Sequence, residues 1–349
     1  MAQVASRAET RSGTDWPGPF IAADVGGTFA RVGLVERPDP RDLALSLRHY
    51  KTYRCADYPG LSAILRDFIA ALGGAPVRRG AIASAGYPLG DELIHTNLPW
   101  PVVINAIRDE LGFRDLSLIN DFAAIAHAVR HVRDEDMTLL SRAATPASDG
   151  PIVVLGPGTG LGAAVLIPGK TVPAVLTTEA GHASFAATSD RELEIVAVLR
   201  RQFEHVSNER VLSGPGLVNV YEALCGLRAT AVVHQAPEDV TAAALDGSDA
   251  AAREALDVFC GLMGSIAGDL ALYYGAHGGV YLAGGILPRI KQFLLGSSFM
   301  ERFLRKGRLG TLLERVPVKL IEHGQLGVLG AASWYLDSHR ETDEGRSGV

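Results

Sequence analysis

An aspartate that ends a strand and begins a helix is well placed to take a proton from a bound hydroxyl, and Asp121 is such a residue. The run Leu116 to Ile119 reads as a strand that passes directly into Asn120 and Asp121. Phe122, Ile125, Ala126 and Val129 then share one face at helical spacing, so Phe122 to Val132 reads as a short amphipathic helix. A carboxylate at this junction can cap the helix by accepting a backbone N–H, and the helix dipole favours its ionised form. The same ionised group can serve as a general base toward a hydroxyl nucleophile. In open α/β sheets ligands bind at the carboxyl ends of strands, which is where Asp121 falls.

Glycine-rich turns supply a second kind of chemistry. Gly26, Gly27 and Thr28 follow the apolar run Phe20 to Val25, with a second strand from Ala30 to Val35. A similar unit recurs at Ile152 to Leu155, where Gly158, Thr159 and Gly160 precede Ala163 to Ile167, and it suggests a diverged internal duplication. Gly284 and Gly285 follow a third apolar run, Gly279 to Ala283, and read as opening a helix with Pro288 in its first turn. Glycine lets backbone amides approach an anion and threonine adds a hydroxyl donor, so these turns could hold the phosphates of a nucleotide. Asp24 is an acidic neighbour suited to magnesium, directly or through water. Singly, each turn could equally be a tight hairpin; together they favour a nucleotide.

The spacing Gly158-x-Gly160-x-x-Ala163, with Glu179 about twenty residues on, also matches a dinucleotide fingerprint. That fingerprint requires a helix after the glycines, whereas Ala163 to Ile167 ends at Pro168-Gly169 and reads as a strand. Walker A and protein-kinase signatures are also lacking, so a nucleotide would be held by backbone amides and hydroxyls. A hexose needs side chains that both donate and accept, and Asn120, Glu179, His182 and Glu209 could supply them. Taken alone, Glu209 beside Arg210 reads equally as a surface ion pair, and His182 as a loop histidine.

The elements that must position these groups alternate between strand and helix, which predicts a two-domain α/β architecture. A chain of 349 residues exceeds the usual single core, and 47% hydrophobic against 21% charged residues provides for a large one. The net charge of −6 gives no basic field for nucleic acid or an anionic membrane. Cys55, Cys225 and Cys260 lie far apart without CxxC spacing, which argues against a zinc site or a disulfide framework and for a reducing cytoplasm. The polar stretch Met1 to Pro17 reads as a loose leader and Ser141 to Gly150 as a linker. Phe259 to Ala276 is apolar enough to resemble a membrane span, but Asp269 and several glycines make it a core helix. Helical runs are expected over Glu192 to His205, within Val240 to Tyr274 and over Leu326 to Tyr335.

Several of these segments resemble the bacterial glucokinase family of the hexokinase and actin superfamily. They are Asp24 to Thr28, Leu118 to Phe122, Gly158 to Gly162, Glu209 to Gly216 and Ala283 to Ile286, in the family's order between Phe20 and Tyr335. The resemblance implies an actin/hexokinase-like (ribonuclease H-like) fold in which two α/β domains close over ATP, magnesium and glucose. It implies transfer of the γ-phosphoryl group to the sugar 6-hydroxyl, giving glucose 6-phosphate, in a cytoplasmic homodimer. Asp121 matches the catalytic base, and Asn120, Glu179, His182 and Glu209 match sugar contacts, with Asn97 in the same pocket. Gly26, Gly27 and Thr28 match the first phosphate loop, Gly158, Thr159 and Gly160 the second, and Gly284 and Gly285 the adenosine-side turn. The implied organisation is a leader over 1–18, a small domain over 19–140 completed by a helix over 326–336, a large domain over 150–325 and a flexible tail over 337–349. The cysteine-rich zinc motif of the related repressor and sugar-kinase family is missing, so the non-zinc branch fits. Phe29 stands where the family usually has Asn, Thr178 and Ala180 flank Glu179 where glycines are usual, and Ala85-Gly86-Tyr87 departs from the usual turn. These departures keep two other readings open: a kinase of another hexose, and a sugar-sensing regulatory protein with reduced catalysis.

Overall fold

The first apolar run becomes β1 (Phe20–Val25), almost wholly buried, and turns back into β2 (Phe29–Glu36). The computed structural model describes Trp16 and residues 18–36, 45–73, 77–89, 92–94, 98–146 and 149–344. β3 (Ser46–Arg54) pairs with β2 as an exposed edge, interrupted by an irregularity between Val32 and Leu34. In α1 (Leu61–Leu72), Leu61, Ile64, Leu65 and Phe68 are buried at helical spacing. β4 (Arg79–Ser84) then runs parallel to β1 on its other side. β5 (Tyr87–Leu89), β6 (Glu92–Ile94) and β7 (Val102–Val103) form a small separate sheet. α2 (Ile104–Leu111) leads to β8 (Asp115–Asn120), parallel to β4, and α3 (Asp121–Ala128) starts at the next residue. The main sheet is ordered β3-β2-β1-β4-β8.

The second unit repeats that plan. β9 (Met137–Leu139) comes first in the chain, followed by β10 (Ile152–Pro157), β11 (Leu161–Ile167) and β12 (Ala174–Thr178). Helices α4 (Asp190–Leu199), α5 (Gly214–Arg228), α6 (Pro237–Asp246) and α7 (Ala250–Tyr274) separate these strands from β13 (Gly279–Leu282). The short helices α8 (Lys291–Gly296), α9 (Phe299–Leu304) and α10 (Gly310–Leu313) precede β14 (Val318–Ile321). The sheet is ordered β12-β11-β10-β13-β14-β9, so its first five strands follow the same spatial order as the other sheet. Among the described residues, α7 alone is long and apolar enough to cross a membrane, yet 78% of its most apolar stretch is buried. It packs against α5, α6 and α9 as the central helix of the core. The last helix, α11 (Leu326–Glu344), packs on β1 and β4 in the first unit, where Tyr335 Oη donates to Asp115 Oδ2 at 2.7 Å.

The chain divides into one unit of residues 1–124 with 325–349 and another of residues 125–324. The boundary expected at 140–150 therefore falls earlier, inside α3. The reason is that residues 137–141 complete the second sheet: β9 pairs antiparallel with β14, Leu140 N–H donates to Val318 O, and Ser141 Oγ accepts Val318 N–H. Ser141 is buried and is not part of a linker. The helix expected over 122–132 is α-helical only to Ala128 and closes as a 3₁₀ turn, and the one expected over 192–205 spans Asp190–Leu199. Gly284 and Gly285 do not open a helix directly. They enter a turn that contains Pro288, and α8 starts at Lys291. The tail expected from 337 is helical to Glu344, with Asp337 buried. Of the expected leader, Trp16 lies against the Phe20 ring with centroids 5.9 Å apart; residues 1–15 and 17 lie outside the described residues. All three cysteines are free and buried.

Candidate active site

In the first unit, Asn120 and Asp121 share the work of starting α3. Asn120 Oδ1 accepts Ala123 N–H at 3.1 Å, and Asp121 Oδ1 accepts Phe122 N–H at 2.8 Å. The helix cap expected of Asp121 is therefore mainly the work of Asn120. Asp121 stands in the first turn, where the helix dipole favours its negative charge. Both residues are half-buried at the carboxyl end of parallel strand β8, a position from which a carboxylate can meet a ligand. Asn97 lies outside the described residues.

The first glycine turn, Gly26 to Thr28, joins β1 to β2 and closes through Gly26 N–H to Phe29 O at 3.0 Å. Buried Cys55 supports it from below: its N–H donates to Thr28 O at 2.9 Å and its Sγ–H to Gly26 O at 3.4 Å. Sequence reasoning gave Cys55 no role, because its only signal is its position after β3. Asp24, on the strand leading into the turn, pairs with Arg31 at 3.2 Å. Burial pushes the Asp24 carboxyl above its usual range, against the opposing pull of Arg31. The first turn of α11 presses on this carboxylate so closely that a Cβ on Gly327 would lie 2.5 Å from Asp24 Cγ. Among the described residues, no group of three or more His, Cys, Asp or Glu side chains could hold a metal. Magnesium does not need such a cage: it keeps several waters and binds through one or two carboxylates and substrate phosphates, a role Asp24 fits.

The second unit brings its expected residues together around the turn between β10 and β11. Gly158 N–H donates to Gly160 O at 2.8 Å, while Gly158 O accepts Gly214 N–H from the start of α5 at 2.8 Å. Gly158 and Thr159 are exposed, and a Cβ on Gly158 would meet nothing within 4 Å. Gly160 is different, because a Cβ there would overlap the Glu209 carboxylate. Glu209 Oε2 accepts Leu161 N–H at 3.0 Å, so the side chain expected to meet sugar also braces the glycine turn. Gly284, at φ +130°, approaches the other end of the turn, where a Cβ would lie 2.5 Å from Pro157 O. Gly285 is exposed beside it. A strand and not a helix follows Gly160, so the dinucleotide fingerprint lacks the helix it requires.

Glu179 and His182 sit on the loop that leaves β12, both exposed, with His182 N–H donating to Glu179 O at 3.0 Å. His182 and Glu209 line one pocket of about 330 Å³, which also includes His205, Ser207 and Arg210; Glu179 is not among its lining residues. Asn208, which sequence reasoning missed, ties the loop to the Glu209 turn: its side chain donates to Ala180 O at 2.9 Å and its N–H to Ala183 O at 2.9 Å. The segment beyond His182 is pinned by a buried ion pair. Glu192 Oε1 meets Arg302 at 2.7 Å, and its Oε2 accepts Thr188 N–H at 2.6 Å. Burial pushes the Glu192 carboxyl up, but Arg302 and Thr188 outweigh it and hold the group below its usual range.

The departures from the family pattern are accommodated without strained backbone. Among the described residues, only His49 and Ala229 carry positive φ without being glycine, so Thr178 and Ala180 avoid that strain. Thr178 Oγ1 donates to Ala163 O at 2.9 Å, and Phe29, which opens β2, is 42% exposed. Gly86, at φ +139°, takes the positive φ in the turn after β4.

The family model for glucokinase matches residues 21–338. A glucokinase-like protein of Xylella fastidiosa is 48% identical over 319 residues, covering 91% of this chain and 95% of the relative. A glucokinase of Paramagnetospirillum magneticum is 42% identical over 319 residues, covering 91% and 97%. The solved structure of a glucokinase from an Antarctic psychrotroph superimposes with a TM-score of 0.82 at 34% identity, over 91% of this chain and 99% of that one. With a family match over most of its length and relatives of this identity, the chain belongs to the glucokinase family.

Proposed function

We propose that the chain phosphorylates glucose at its 6-hydroxyl with ATP, and that Asp121 is the catalytic base. The observation that carries this reading is the β8–α3 junction, where Asn120 caps the helix and Asp121 is held in its first turn. Asp121 accepts the hydroxyl proton as the sugar oxygen bonds the γ-phosphorus; the bond from that phosphorus to the β,γ-bridging oxygen breaks, and its electron pair leaves with ADP. In phosphoryl transfer, positioning and charge neutralisation supply most of the acceleration, so one well-placed carboxylate is enough. Asn120, Glu179, His182 and Glu209 orient the sugar, and Asn97 is assigned to the same group. Gly26, Gly27 and Thr28 form one phosphate loop and Gly158, Thr159 and Gly160 the other; the Gly26 and Gly158 amides close the turns, the remaining amides face the phosphates, and Gly284 and Gly285 lie beside the adenosine. Asp24 would hold magnesium, directly or through water, and the ion would supply neutralisation of the phosphate charge.

The same reading has the enzyme acting in the cytoplasm as a homodimer and feeding glycolysis. A coupled assay with ATP across glucose, mannose, fructose, glucosamine and N-acetyl hexosamines tests it. Glucose is expected to turn over fastest. A different best hexose would redirect the substrate assignment, and no turnover of any hexose would overturn the reading in favour of a sugar-sensing protein.

A further inference from the structure

We infer that Glu209 is a positioning residue for the second glycine turn, so that one carboxylate sets nucleotide affinity as well as sugar affinity. The inference rests on the reading of that turn as a phosphate cradle. Three contacts carry it. Glu209 Oε2 accepts the N–H of buried Leu161 at 3.0 Å, across forty-eight positions of sequence. The same carboxylate occupies the space a side chain on Gly160 would need, so the turn is shaped around it. Glu209 O also accepts Ser213 Oγ–H at 2.8 Å, and Ser213 caps α5, whose Gly214 N–H holds Gly158 O at 2.8 Å.

The segment 209–214 thus grips both ends of the turn: the Glu209 side chain at Gly160–Leu161 and the Gly214 amide at Gly158. Thr159, between the grips, is exposed and available to an anion, and the exposed Gly158 beside it leaves the approach open. Glu209 also lines the pocket that contains His182. A sugar hydroxyl bonded to this carboxylate would therefore touch the brace of the phosphate turn directly. A residue that only recognised sugar would have no need to fill the space above Gly160 or to accept a buried backbone N–H.

Reach and charge can be separated by substitution. Glu209→Gln keeps an oxygen at the same distance, whereas Glu209→Asp keeps the charge but is one methylene too short; Glu209→Ala removes both. The full chain is titrated with magnesium-ATP by calorimetry in the absence of sugar, and exchange of the Leu161 amide is followed without any ligand. Loss of a hydrogen bond to a charged group is expected to weaken ATP binding about tenfold in Glu209→Asp and Glu209→Ala. Glu209→Gln should stay within about twofold of wild type for ATP while raising the sugar KM. Leu161 exchange should accelerate in the Asp and Ala variants and return toward wild type in Gln. Wild-type ATP affinity in Glu209→Asp and Glu209→Ala would overturn the inference, as would unchanged Leu161 exchange. A wild-type chain that neither binds ATP nor phosphorylates a hexose would instead overturn the proposed function, and the exchange measurement would still decide whether Glu209 braces the turn.

Discussion

The two glycine hairpins are built on the same plan and supported by opposite means. Each joins an antiparallel pair whose first strand also has a parallel neighbour, β4 for β1 and β13 for β10. The first hairpin encloses Gly26 to Phe29 between paired Val25 and Ala30; the second encloses only Gly158 to Gly160 between Pro157 and Leu161. Beneath the first turn lies the neutral Cys55, bonded largely through its backbone. Against the second turn lies a charged side chain, Glu209, and the neighbouring loop is fixed by the Glu192–Arg302 pair. The difference teaches that a shared topology leaves the support of each turn open. The neutral support is expected to tolerate change, whereas the charged one should make the second turn depend on a single side chain.

The largest expected effect belongs to Asp121, which lies on the first unit and outside both hairpins. Asp121→Ala is expected to lower kcat by about 10²–10⁴-fold, the range for losing a general base, while glucose still binds. The fold should survive, because Asn120 keeps its cap on Ala123 N–H. Single-turnover kinetics beside glucose titration provide the check, and near-wild-type turnover would remove Asp121 from the role of base.

Next comes the ion pair that pins the segment beyond His182 at Thr188. Glu192→Ala would leave the mostly buried Arg302 without its charge partner, though still bonded to Ser265 and Thr188, and breaking such a pair costs about 3–5 kcal/mol. The pH dependence follows from the depressed carboxyl. The Glu192 contribution is fully present above its unfolded value of 4.5 and is lost as pH falls through the lower native value. Asp24 shifts the other way, since its raised carboxyl favours the native state below its unfolded value of 3.8 and loses that contribution as pH rises through the native value. Acid should therefore loosen the second unit's loop, and Glu192→Gln should flatten that response. Denaturant titrations between pH 3 and 7 test it; an unchanged acid slope in Glu192→Gln would assign the acid sensitivity to other groups.

The hairpins themselves can be compared by adding one carbon to each. Gly160→Ala places a Cβ onto the Glu209 carboxylate and should cost about 1–3 kcal/mol, the range for overpacking. Gly26→Ala brings its Cβ no closer than 3.7 Å to Phe29 O, at a residue without positive φ, and should cost less than about 1 kcal/mol. Equal losses of stability in the two variants would show that the turns are equally constrained.

What could be read from sequence follows the same division between local and distant contacts. β1, β8 and the β10–β11 hairpin announce themselves through apolar runs ended by glycine or by Asn120-Asp121, because their limits are set by neighbouring residues. The unit boundary is not legible in the sequence because Ser141 has linker composition, and only its bond to Val318 N–H, far along the chain, makes it part of a sheet. Glu209 could be picked out through the family resemblance, but its hold on Leu161 could not, since no local pattern records a contact of that separation. Phe29, Thr178 and Ala180 looked like disturbances of the loops, and the backbone they occupy turns out to accept a side chain.

The smallest effect, and the closest test of the comparison, is at Cys55. Its thiol is fully buried, and burial pushes its ionisation upward, so it acts as a weak donor and not as a nucleophile. Cys55→Ala removes one weak S–H contact to Gly26 O and leaves a small void, at a cost of about 1 kcal/mol. The backbone N–H to Thr28 O remains, as does the carbonyl that accepts Trp100 Nε1–H at 3.3 Å. The KM for ATP should therefore change by less than about twofold, against the roughly tenfold weakening of ATP binding expected when Glu209 loses its reach. A tenfold rise in that KM in Cys55→Ala, with the chain still folded by circular dichroism, would mean that the thiol supports the first turn as critically as the carboxylate supports the second. The contrast between the two hairpins would then lie in chemistry alone and not in their dependence on a side chain.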